Sequence, residues 1–96
     1  MNVIVRGKNV SVPSTLRNAA RRKLGRLERV AQDASRAEVD FSEERNPLIP
    51  RRHRCTVVVH RPHDLLTAHA AASDPEAALD LVVEKLRHQA AQHKDR

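Results

Sequence analysis

Leu16-Arg17-Asn18-Ala19-Ala20-Arg21-Arg22-Lys23-Leu24-Gly25-Arg26-Leu27-Glu28-Arg29-Val30-Ala31 carries two patterns at once. Leu16, Ala20, Leu24, Leu27 and Ala31 recur at the spacing of one apolar helical face. Arg17, Arg21, Arg22, Lys23, Arg26 and Arg29 fill positions between them, and Glu28 is the only acid. At about 3.6 residues per turn, Arg22, Arg26 and Arg29 fall on the side opposite the leucines. The spacing predicts a helix that ends near Val30 or Ala31, anchored by one face and presenting a cationic ridge on the other. Pro13 and Ser14 mark its start, since proline suits a first turn and serine suits a cap.

The flanking segments read as a sheet and a second helix. Val3, Ile4 and Val5 open the chain as a short buried strand, which continues through Gly7, Lys8 and Asn9 toward Val10 and Val12. Ala37, Val39 and Phe41 alternate with Glu38, Asp40 and Ser42, a strand with one buried face. Residues 46–50 hold two prolines and predict a loop. Residues 52–61 form a third strand centred on Val57, Val58 and Val59, followed by a turn at 61–64. Residues 65–72 read as a fourth strand, with alanines that favour strands only weakly. Asp74-Pro75 is a helix start, with Asp as cap and Pro at the first helical position. That helix buries Leu79, Val82, Val83, Leu86 and Ala90 and frays into a polar tail at about 91–96.

The order is β-α-β-β-β-α, a single α+β domain over residues 1–96. A four-stranded sheet with two amphipathic helices on one face buries every apolar stripe. A right-handed crossover places the first two strands in parallel, and hairpins connect the rest.

Composition limits what such a domain does. The net charge is +6 and the sequence pI about 10.7, which points first at a polyanion. Phe41 is the only aromatic residue, so base stacking on aromatic side chains is not available. Nucleic-acid binding would rest on phosphate contacts and shape. No apolar run is long enough to span a membrane, the N-terminus lacks a signal-peptide core, and Cys55 has no internal partner. A cytoplasmic location is expected, with no cofactor and no small-molecule substrate. His60, His63 and His69 invite a metal reading, but no cysteine pair supports zinc and no metal site is expected. Gly7 and Gly25 are the only glycines, no nucleophile motif is present, and no catalytic residue is assigned. Cys55 alternates with Val57 and Val59 and reads as a buried structural thiol.

Asp74-Pro75-Glu76-Ala77-Ala78-Leu79-Asp80-Leu81-Val82-Val83-Glu84-Lys85-Leu86 resembles the second-helix signature of the ribosome hibernation factors, also called ribosome-associated inhibitors or sigma-54 modulation proteins. Ile4-x-x-Gly7-Lys8-Asn9-Val10 is similar to that family's first strand. Leu16-Arg17 and Lys23-Leu24-x-Arg26-Leu27-Glu28 are similar to its first helix. The resemblance covers nearly the whole chain in order. It implies binding to the small ribosomal subunit in the decoding region, through basic side chains on ribosomal RNA phosphates, and translational idling in stress or stationary phase. The RNA-binding positions it implies beside the ridge residues Arg17, Arg21, Arg22, Lys23, Arg26 and Arg29 are Lys8, Lys85, Arg87, His88 and Lys94. His88 stands where that family commonly has Arg, and beside a phosphate it would favour its charged form. Residues 46–50 match no part of the family pattern. The chain corresponds to a short member or to the N-terminal part of a longer one.

Two other readings compete. A double-stranded-RNA-binding domain shares an α-β-β-β-α core and reads backbone shape. Asp74 and Glu76 at the second helix start argue against it, since carboxylates there repel phosphate. A protein-interaction domain would use a free sheet edge.

Overall fold

The computed structural model describes residues 1–94, with side chains through Gln92. Strand β1 (Asn2–Gly7) leads into helix α1 (Ser14–Gly25) and a 3-10 turn (Arg26–Arg29). Strands β2 (Arg36–Glu43), β3 (His53–His60) and β4 (Leu65–Ala72) follow, and helix α2 (Pro75–Lys94) closes the order. The strands lie in the sheet in chain order. β1 runs parallel to β2, and the other neighbours are antiparallel. The α+β architecture is the one the sequence predicts.

The core forms because three strands alternate in phase. Register places Val39 beside Val57, and Val57 beside Ala68. Phe41 likewise lies beside Cys55, and Val59 beside Leu66. All these side chains are buried on one face. Leu16, Leu24 and Leu27 cover that face from the first helical segment, and Leu79, Val82, Leu86 and Ala90 from α2. Among the described residues no polar or charged side chain is buried. Burial of such apolar surface contributes about 25 cal/mol per Å², with no desolvated charge to offset it.

Several local expectations are corrected. The first helix does not continue as α-helix to Val30 or Ala31. It stops at Gly25 and tightens into the 3-10 turn, whose closing bonds run from Val30 and Ala31 N–H to the Leu27 carbonyl. Glycine is a weak helix former, and three residues per turn keep Leu24 and Leu27 on the core side. β1 ends at Gly7, and of Val3, Ile4 and Val5 only Val5 is fully buried. Val10 and Val12 pack against the core from outside the strand. Pro13, not Ser14, is the N-cap of α1, and it makes no side-chain cap bond. At α2 the cap is as expected: Asp74 Oδ1 accepts from Ala77 N–H at 2.9 Å. β3 is trimmed to His53–His60. α2 continues through Lys94 instead of fraying at 91, because Leu86 and Ala90 still anchor its last turns.

The two glycines have opposite environments. A Cβ at Gly7 would lie 2.2 Å from the Val10 carbonyl oxygen, whereas one at Gly25 meets nothing within 4 Å. Gly7→Ala is therefore expected to destabilise by about 1–3 kcal/mol through overpacking. Gly25→Ala, in helical backbone, is expected to stabilise by about 0.5–1 kcal/mol. Urea denaturation of the two variants checks both signs, and a neutral Gly7→Ala would contradict the packing of the 7–12 segment.

Candidate nucleic-acid interface

The helix layer carries the cations named from sequence except Lys8, and their neighbours divide them into three groups. Arg17 and Lys85 turn toward the sheet. Arg17 Nη1 donates to the Val5 carbonyl at 2.8 Å, on the free side of edge strand β1. Lys85 Nζ donates to the His69 carbonyl at 2.8 Å, and Gln89 Nε2 to that of Thr67 at 2.8 Å, both on edge strand β4. These bonds blunt both edges that strand pairing with another chain would use.

A second group is ion-paired. Lys23, only 16% exposed, bonds Asp80 and lies 3.4 Å from Glu76. Its pKa is raised above the ordinary 10.5, chiefly by the hydrogen bond to Asp80. Folding therefore tightens this proton. The pair's contribution is fully present below 10.5 and is lost as pH rises through the folded value. Arg22 approaches Glu76 at 4.0 Å and lines a separate depression with Asp74 and Pro75. Arg87 pairs with Glu84 at 3.3 Å, and His88 Nε2 lies 3.4 Å from the same carboxylate.

The third group has no carboxylate partner among the described residues: Arg21, Arg26 and Arg29, all exposed. Arg26 and Arg29 sit on the 3-10 turn, where residues three apart eclipse. They line a groove between that turn and α2, together with Lys23, Asp80, Glu84 and Arg87. The continuous ridge of Arg22, Arg26 and Arg29 expected from one α-helix is thus broken. Arg22 turns to the start of α2, and Arg26 and Arg29 form the free cationic lip. The side chain of Lys94 lies outside the described residues.

Sequence periodicity missed a second cationic cluster. Lys8 lies at the end of β1, beside Arg45 and Arg54 of the β2–β3 hairpin. These arginines follow no helical period, and only strand pairing brings them to Lys8. His60, His63 and His69 do not converge. His60 Nε2 sits 2.7 Å from Glu38 Oε2, a contact that holds the Glu38 carboxyl below its usual range. Among the described residues no group of three His, Cys, Asp or Glu side chains is placed to hold a metal ion. Burial pushes the Cys55 thiol up to about 12, so it is not a nucleophile near neutral pH. No helix among the described residues is long and apolar enough to cross a membrane.

This mixed sheet under two helices, with a cationic groove on the helix layer, defines a small basic α+β domain with a surface suited to a polyanion. The chain belongs to the Sigma 54 modulation protein / S30EA ribosomal protein family, whose model matches residues 3–96. It is 24% identical over 97 residues to a ribosome hibernation promotion factor of Picosynechococcus sp., covering 100% of this chain and 50% of that protein. The chain therefore spans about half the length of that relative. The N-terminal domain of Thermus thermophilus Protein Y superposes with a TM-score of 0.80 at 28% identity, over 97% of this chain and 99% of that one. A ribosomal subunit interface protein from Coxiella burnetii shares the fold with a TM-score of 0.87 at 22% identity, over the whole of both chains.

Asp80→Asn removes the main partner of Lys23. Its titration should fall back toward the ordinary lysine range, read by NMR of the side-chain methylene next to Nζ. The same variant adds one positive charge to the groove and should tighten retention on heparin. An unchanged Lys23 titration would show that Glu76 alone holds it.

Proposed function

We propose that this chain binds the small ribosomal subunit in the decoding and tRNA channel, through ribosomal RNA phosphates, and blocks translation by occupancy. The observation that carries the proposal is the free lip of Arg26 and Arg29 on the groove of a fold from a ribosome-associated family. Guanidinium groups without carboxylate partners bind phosphate with no ion pair to break first. The relative's name, ribosome hibernation promotion factor, supports the same assignment. A double-stranded-RNA-binding mode through the start of α2 is disfavoured, because Glu76 there sits against Arg22 and Lys23.

Occupancy requires no chemistry, and the family is one of ribosome-associated factors. The protein should inhibit cell-free translation in proportion to ribosomes, reversibly, leaving ribosomal RNA intact. Excess initiation factors, messenger RNA and initiator tRNA should relieve the inhibition, because they compete for the same space.

The decisive measurement is sedimentation with purified small subunits across a salt series. Binding should weaken with a log–log slope of about 0.7–0.9 per phosphate neutralised. Arg26→Glu with Arg29→Glu should abolish comigration while circular dichroism stays unchanged, since both side chains are exposed. Wild-type comigration of that variant, or inhibition far below one protein per ribosome with new RNA fragments, would overturn the proposal.

A further inference from the structure

The β2–β3 hairpin lies outside the groove and carries a distinct surface. Its base is closed by Glu44 N–H donating to the Arg52 carbonyl at 2.6 Å. Its tip is set by Asn46, whose Oδ1 accepts from Leu48 N–H at 3.0 Å and whose carbonyl accepts from Ile49 N–H at 3.1 Å. Pro47 and Pro50 fix the backbone on either side of this turn. The result holds Leu48 outward at 86% exposure, against 57% and 48% for the other exposed leucines, Leu65 and Leu81.

Leu48 is flanked by cations of unequal freedom. Arg52 bonds Glu43 at 2.8 Å, and Arg54 approaches Glu44 at 3.8 Å. Arg45 and Arg51 are exposed and have no carboxylate partner among the described residues, and neither has Lys8. The two carboxylates of this end are thus already engaged, while Arg45 and Arg51 flank the outward leucine along the hairpin and Lys8 lies beside Arg45 at its base. Topology puts this cluster at the C-terminal end of β2, whereas the 3-10 turn leads into its N-terminal end. Eight residues of strand, roughly 26 Å at about 3.3 Å per residue, lie between.

We propose that the hairpin tip is a second RNA contact, separate from the helix-layer groove. Arg45, Arg51 and Lys8 take backbone phosphates, and Leu48 packs against the face of an unstacked nucleotide. An apolar side chain carried on a cationic, pre-set turn suits this task. The arginines supply attraction without sequence preference, and the leucine takes the apolar contact that a chain lacking exposed aromatics cannot make by stacking. An apolar partner protein would not need unpaired arginines on both sides of the leucine. The inference rests on the ribosomal-RNA reading above.

The test compares two hairpin variants for affinity to purified small subunits across a salt series, with Arg26→Glu/Arg29→Glu in parallel. Arg45→Ala/Arg51→Ala should weaken binding about tenfold at moderate salt and lower the log–log slope by about 1.4–1.8, the loss of two phosphate contacts. Leu48→Ser should weaken binding severalfold with the slope unchanged. Neither touches the core, so thermal unfolding should not move. Leu48→Cys, with Cys55 buried, can carry a single tethered iron chelate, which should cut ribosomal RNA at a discrete position. Unchanged affinity and slope in the hairpin variants, while the groove variant fails to bind, would overturn the hairpin site and leave the groove reading standing. Modification of ribosomal protein alone by the tethered chelate would also overturn it. Loss of neither affinity in any variant would sink the ribosomal-RNA reading itself, and the hairpin site with it.

Discussion

The apolar layer between sheet and helices is the constraint on which everything else depends. One face of four strands is covered by Leu16, Leu24, Leu27, Leu79, Val82 and Leu86, with Phe41 the single large ring beneath them. Nothing polar is buried there among the described residues, so no charge is held by the interior. Every cation must stay at the surface, and its availability is decided by surface carboxylates and strand-edge carbonyls. Phe41, the only aromatic residue, is buried in that core, so the surface offers no aromatic ring on which a base could stack.

Carboxylate placement then sorts the cations. Glu76 and Asp80 reach from α2 to Arg22 and Lys23 of α1, and Glu84 engages Arg87 within α2. Exposed pairs of this kind contribute little to stability. Their larger consequence is on the field, because they cancel cations at the start of the groove and leave the 3-10 turn positive. The same logic operates on the hairpin, where Glu43 and Glu44 take Arg52 and Arg54 and leave Arg45 and Arg51. Arg17 and Lys85 serve a different need. Edge carbonyls of β1 and β4 would otherwise invite strand pairing, and these long side chains cover them.

Much of the fold was legible because the relevant signals are local and periodic. The alternation of Ala37, Val39 and Phe41 named the buried face of β2, and Asp74-Pro75 named the start of α2. The two-residue period of Leu66 and Ala68 marks β4 at its observed bounds despite four alanines. The apolar spacing of Leu24, Leu27 and Ala31 does not mark where α-helix gives way to the 3-10 turn, which shows only in the backbone bonds to Leu27. The hairpin cluster was invisible because Lys8 and Arg45 meet only through strand pairing.

The sequence by itself determined the element order, the buried stripes and the positive balance, because each depends on residue type and short-range spacing. It could nominate basic residues but not rank them. Whether Lys23 meets Asp80, whether Lys85 reaches the His69 carbonyl, and whether Arg26 is left free are decided across separations of up to 57 residues. Charge is a property of a side chain, but free charge is a property of its neighbours, and those are assembled only when the helices pack on the sheet.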